Sequence, residues 1–164
     1  MRIERLNEIN ASEYRKLRLK ALKDHPEAYG SSFEEESEQP LEFIENRLSN
    51  KENLTFGAYI SNQLVGIITL MCSNRIKTKH NGHIVAMYVD ISYRNQGIAK
   101  KLIEKVIDEA KRLNIVNLFL TVTNTNLVAI TLYESCGFIK YGTEKREILI
   151  DGNYYDSDLM ALYL

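Results

Sequence analysis

Apolar positions along this chain follow two periods, and each change of period marks an element boundary. Residues 84 to 89, Ile-Val-Ala-Met-Tyr-Val, form a nearly unbroken apolar run with β-branched residues, which predicts a central strand buried on both faces. Asp90-Ile91-Ser92-Tyr93 breaks that run. From Ile98 onward, Leu102, Ile103, Val106, Ile107, Ala110 and Leu113 recur at three- and four-residue spacing, as the buried face of a helix does. Residues 2 to 6 predict a short first strand. Asn10 or Ser12 can cap the helix that follows, whose apolar face is Tyr14, Leu17, Ala21 and Leu22. Asp24-His25-Pro26 stops it, since proline disfavours a helical residue before it. The acidic run from Glu34 to Glu38 reads as a solvated face, and a second helix is expected over Leu41 to Leu48. Strands over 54–60 and 64–72 flank a polar three-residue turn, the pattern of an antiparallel hairpin. A polar, basic loop over 73–82 leads to the central strand. After the long helix come a strand over 116–122, a short helix capped by residues 123–126 and ended by Gly137, and two long strands, 138–150 and 154–164. Asp151-Gly152 joins the last two as a hairpin turn. The element order β-α-α-β-β-β-α-β-α-β-β predicts an α/β (α+β) fold: a mixed sheet of about seven strands with about four helices on its two faces.

Composition narrows the class. At 164 residues the chain fits one domain, 1–164, with a single sizeable core. Arginine and lysine (21) almost balance aspartate and glutamate (22), so the basic surplus of a general nucleic-acid binder is missing. No long apolar run and no signal-peptide pattern is present, so the expectation is a cytoplasmic protein with no membrane partner. The two cysteines, Cys72 and Cys136, lack C-x-x-C spacing and read as buried small hydrophobes. No His/Cys/Asp cluster has metal-ligand spacing, so no metal is expected.

Candidate chemistry sits at the join of the central strand and the long helix, Arg94-Asn95-Gln96-Gly97-Ile98-Ala99. A glycine with a small residue two places on lets backbone N–H groups approach a bulky anion, and the helix start adds free donors and partial positive charge. The G-x-x-x-x-G-K-[ST] and G-x-G-x-x-G phosphate loops are both absent. The R-x-x-G-x-A hexapeptide after a strand instead resembles the acetyl-CoA loop of the GNAT-type N-acetyltransferases. A second block matches the same family: Leu120, Val122, Asn126, Ala129, Leu132, Tyr133, Gly137 and Phe138 stand at the family's spacing, one helix and one strand further on. The predicted element order is also that of the family across essentially the whole chain.

This resemblance implies a sheet splayed between its two central strands, with acetyl-CoA as donor substrate in the gap. Backbone groups of Met87, Tyr88 and Val89 are then expected to hold the pantetheine arm. Gln96, Gly97, Ala99 and Lys100, in one turn with Ile98, are expected to present N–H groups to the pyrophosphate, with Arg94 beside them. Asn126 is expected to contact the cofactor, and Tyr133 to protonate the CoA sulfur. Alanine at 99 departs from the commoner glycine, a change the family tolerates. In histone-acetylating relatives a glutamate stands eleven residues before the first motif position, and here that position is His83, whose neutral imidazole can take a proton directly or through water. Acceptor-side walls fall on the first helix–loop–helix, with Glu34, Glu35, Glu36 and Glu38, and on the final hairpin. Tyr154 and Asp156 at its strand start are the expected acceptor contacts, through charge and cation–π attraction for a cationic amine. The acceptor class left open is a small-molecule amine or a protein amine, and a homodimer is a family-level expectation. The alternative is a non-catalytic acyl-CoA-binding sensor or structural subunit, which would need the phosphate cradle but not Tyr133 or Asn126.

Overall fold

The computed structural model describes residues 1–164. Seven strands form one sheet: β1 (Arg2–Arg5), β2 (Asn53–Ile60), β3 (Gln63–Cys72), β4 (Asn81–Val89), β5 (Asn117–Thr123), β6 (Ile139–Ile150) and β7 (Asn153–Tyr163). Their spatial order is β1-β2-β3-β4-β5-β7-β6, and only the β4–β5 pair is parallel. Five α-helices flank the sheet: α1 (Ala11–Asp24), α2 (Phe33–Ser37), α3 (Leu41–Ser49), α4 (Ile98–Arg112) and α5 (Leu127–Ser135). None is long and apolar enough to cross a membrane. Leu102, Ile103 and Val106 of α4 pack with Ile68, Leu70 and Ile84 in the larger core, which also takes Tyr133 of α5. On the other face Tyr14, Leu17 and Ala21 of α1 and Ile44 and Leu48 of α3 cover Ile67 and Tyr88.

The parallel pair decides the architecture. β4 and β5 are in register only at Asn81–Asn117, Gly82–Leu118 and His83–Phe119. Beyond that point each strand follows its outer neighbour. β5 stays paired with β7 as far as Thr123–Ser157, and β4 stays with β3 as far as Val89–Gly66. Between Val85 and Tyr88 two residues, Ala86 and Met87, oppose the single residue Ile68, and Ala86 sits at φ 54°. This bulge bends β4 and increases its twist away from β5. The sheet therefore opens into a V.

Three local expectations are corrected. β4 is not buried on both faces: Val85 is 38% exposed because its face looks into the gap. The acidic run is a turn of helix, α2, closed by a capping box in which Ser32 and Glu35 bond each other's backbone amides. Within it Glu36 is buried instead of solvated. Finally, neither Asn10 nor Ser12 caps α1. Asn7 caps a 3-10 turn over Glu8–Asn10 that runs directly into the helix. Cys72 and Cys136 are half-buried at the edge of the larger core.

Candidate active site

The turn from β4 into α4 adopts the conformation its sequence predicts. Asn95 (φ 62°) and Gly97 (φ 74°) are both left-handed, and they flank Gln96. The first hydrogen bond of α4 runs from the amide of Lys101 to the carbonyl of Gly97. The amides of Gly97, Ile98, Ala99 and Lys100 therefore have no acceptor within the chain, and they converge with the positive end of a fifteen-residue helix. A Cβ built on Gly97 would meet nothing within 4 Å. Protein crowding is thus not what glycine relieves there. It serves the positive φ and leaves the donors uncovered for an anion. The Arg94 guanidinium folds back, donating through Nε to the Val89 carbonyl at 3.0 Å, with Nη2 3.0 Å from His25 Nε2.

From this turn a cavity of about 1070 Å³ runs through the V to the opposite side of the sheet. One wall is β4. The carbonyls of Met87 and Val89 are taken by the Tyr29 hydroxyl (2.9 Å) and by Arg94, so both residues turn their peptide groups toward the gap. Tyr88 lies between them and, by the alternation of the ladder, turns toward β3. Its side chain passes under α1, where the hydroxyl donates to Asp24 at 2.6 Å and accepts from Lys20. Burial and the Asp24 carboxylate push that phenol up to about 12. The segment between α1 and α2 straps across the V. Tyr29 ties it to β4, and the Thr123 hydroxyl donates to the Glu27 carbonyl at 2.6 Å, tying it to β5.

α5 forms the other wall. The Asn126 side chain caps it by accepting from the Ala129 amide at 3.2 Å, which accounts for the asparagine of the second sequence block. At its far end the Gly137 amide donates to Glu134 and the Phe138 amide to Tyr133, with Gly137 at φ 94°. This is a Schellman cap, and its usual apolar contact is here an edge-to-face pair of Tyr133 and Phe138 with centroids 5.8 Å apart. The Gly-Phe dipeptide therefore clamps the Tyr133 ring. Tyr133 is buried, lines the cavity, and its hydroxyl has no partner in the chain while remaining open to the cavity. Burial, with a smaller contribution from Cys136, pushes its ionisation well above the ordinary phenol range. The group is a protonated donor at any physiological pH.

On the other side of the sheet the cavity is lined by His83, Met71 and Thr69, by α1, α2 and α3 through Arg18, Glu36 and Arg47, and by Glu147 and Ile148 of β6. The His83 ring is exposed and lies against Phe119 (centroids 5.5 Å). Arg18 donates to Glu36 from Nη2 (2.9 Å) and Nε (3.2 Å), and Arg47 approaches the same carboxylate at 3.5 Å. Burial alone would raise the Glu36 carboxyl, but the Arg18 hydrogen bonds and charge outweigh it and hold the group below the usual range. A depressed carboxylate stabilises the fold above its unfolded pKa, and that stabilisation is lost as pH falls through the folded value. Glu36→Gln should therefore lower the urea midpoint at pH 7, and the two proteins should converge as the pH drops below about 4. A constant difference across that range in paired denaturation curves would remove the ion pair from this role.

Comparison with known proteins decides the family. The family model described as the acetyltransferase (GNAT) family matches residues 12–138. The chain belongs to that family. It is 38% identical over 81 residues to the [ribosomal protein bS18]-alanine N-acetyltransferase of Escherichia coli K12, covering 45% of this chain and 50% of that one. Over 100 residues it is 30% identical to the spermidine N(1)-acetyltransferase of Vibrio cholerae, covering 60% and 56%. The chain spans about half the length of the curated relatives it matches. In fold it superposes on a GNAT-family acetyltransferase of Streptococcus pneumoniae with TM-score 0.83 at 23% identity, covering 99% of both chains.

Within this GNAT fold the cavity brings together His83, Met87, Tyr88, Val89, Arg94, Gly97, Ile98, Ala99, Lys100, Asn126 and Tyr133. Gln96 lies on the exposed outside of the turn and is not among the cavity residues. Tyr154 and Asp156 also lie outside it. Tyr154 is 60% exposed beneath Arg146, and Asp156 accepts from the Arg146 amide at 2.9 Å. That bond holds a second bulge, at Arg146 (φ 59°), where β6 shifts register against β7 and Glu147 and Ile148 enter the lining. Asp156 is thus placed to shape this wall of the cavity without forming it. Sequence reasoning missed Arg18, Tyr29 and Arg47. Arg18 stands within the apolar face of α1 (Tyr14, Leu17, Ala21, Leu22), and an arginine there was the one available signal.

Proposed function

We propose that this chain transfers the acetyl group of acetyl-CoA to a primary amine by direct attack, with Tyr133 as general acid. The observation that carries this reading is the unpartnered Tyr133 hydroxyl, facing the gap of a splayed sheet whose mouth holds four free amides. Those amides fit a pyrophosphate, and the Met87 and Val89 edge of β4, whose carbonyls Tyr29 and Arg94 hold, borders the gap in which a pantetheine arm would lie. Acetyl-CoA supplies an activated thioester carbonyl. The amine nitrogen forms a bond to that carbon, the C–S bond breaks, the amine loses a proton to a base, and the thiolate gains one from Tyr133. A raised phenol pKa weakens the donor, but the same low-dielectric surroundings raise the proton affinity of the departing thiolate. A sensor would have no use for a clamped, protonated phenol at the centre of the V. The test is thiol release from acetyl-CoA in the presence of an amine panel, and the absence of release with every amine would reject the reading.

His83 is the proposed base. It stands at the point where β4 and β5 part, on the face away from α4, and its exposed ring can reach the acceptor side directly or through water. A lysine-like amine must lose a proton at a cost of about 4.6 kcal/mol at pH 7, against about 1.4 kcal/mol for a peptide α-amine. His83→Ala should therefore reduce turnover of a lysine-like amine by about tenfold or more and an α-amine by much less. Equal, small losses with both would leave solvent as the base.

A further inference from the structure

Resting on the reading that a CoA pyrophosphate docks on the α4 turn, we infer that His25 is a positioning residue for the cofactor, holding the Arg94 guanidinium ready for a phosphate oxygen. Arg94 is exposed, and it lines the same cavity as His25 and the free amides of residues 97 to 100. A surface arginine ordinarily gives up side-chain freedom when it grips a ligand. This one is held beforehand. Nε donates to the Val89 carbonyl at 3.0 Å, and Nη2 lies 3.0 Å from His25 Nε2. The guanidinium also stands 5.8 Å from the centre of the Tyr88 ring. Nη1 bonds no group of the chain and is left to meet an anion.

Donor and acceptor chemistry fixes the part the imidazole plays. A guanidinium can only donate, so Nε2 accepts from Arg94 and the ring proton sits on Nδ1. Nδ1 faces Oε1 of Glu27 at 3.4 Å, and that carboxylate favours the tautomer Arg94 needs. Both residues are placed by their backbone. Pro26 keeps His25 out of the helical region, at φ −142° and ψ 66°, which ends α1 with the imidazole beside the end of β4. The Glu27 carbonyl is bonded by Thr123 of β5, and Tyr29 bonds the Met87 carbonyl of β4. The strap between α1 and α2 is therefore pinned on both sides of the V, and it carries His25 to an arginine 69 residues further along the chain. Asp24-His25-Pro26 is thus more than a helix stop.

Asparagine and glutamine at position 25 test this, because they differ by one methylene. The side-chain oxygen of glutamine can stand where Nε2 stands, whereas that of asparagine reaches only as far as Nδ1. In calorimetry with CoA, His25→Asn should weaken binding by about tenfold, and His25→Gln should stay within about threefold of wild type. Arg94→Ala completes the cycle: in that background the asparagine and glutamine variants should bind CoA equally. The His25 side chain is 33% exposed, so both variants should fold, and His25→Leu replaces His25→Asn in the comparison if the latter does not. Wild-type affinity in His25→Asn, or a loss that persists undiminished without Arg94, would overturn the inference and leave the pyrophosphate site standing. No binding of CoA by the wild-type protein would overturn both.

Discussion

Gly97→Glu should abolish binding of CoA by a protein that remains folded. Two effects act together. The residue occupies φ 74°, where a side chain costs about 1–2 kcal/mol. The added carboxylate would also project among the free amides of Gly97, Ile98, Ala99 and Lys100, competing for the donors and repelling the pyrophosphate. The combined loss should exceed about a hundredfold in affinity. Gly97→Ala separates the two effects, since it keeps the backbone cost and adds no charge. With no atom within 4 Å of where its Cβ would stand, that variant should fold and lose only about tenfold. Calorimetry showing wild-type affinity for Gly97→Glu would move the pyrophosphate elsewhere.

Tyr133→Phe should lower kcat by ~10²–10⁴-fold, the usual contribution of a general acid, with CoA affinity nearly intact. The substitution is a clean one here. The hydroxyl has no protein partner to orphan, and a phenylalanine ring can keep the edge-to-face contact with Phe138. Stability should therefore be unchanged, which distinguishes a chemical role from a packing one. A variant retaining most of the wild-type kcat would leave Tyr133 as the ring that closes the α5 cap.

The elements other than α2, and the glycine turn into α4, were legible from local pattern. Helix α4 announces itself through Ile98, Leu102, Ile103 and Val106, and its start through one glycine, because amphipathic period and backbone freedom are properties of neighbouring residues. Gly137-Phe138 was legible too, although only as a helix stop. That it forms a cap holding the Tyr133 ring depends on a contact between the two ends of one turn. The acidic run departs from its pattern at one residue, Glu36. Charge runs are usually solvated, and nothing near it in sequence shows that Arg18, eighteen residues earlier, waits to pair with it.

Sequence by itself determined the order of the strands and of four of the five helices, and the glycine turn suited to an anion, since each rests on residues within a few positions of one another. The tyrosine proposed as proton donor came from the resemblance of the second block. Tertiary structure alone decided the V and the wall of its cavity opposite α4. The V follows from a bulge at Ala86, an alanine at positive φ that no local rule anticipates, together with β5 holding to β7 while β4 holds to β3. That wall joins α1, α2, α3 and a β6 bulge kept in place by Asp156, segments brought together from more than a hundred residues apart. Long-range packing and strand pairing set those positions, and a buried arginine with one free nitrogen becomes visible only once they are set.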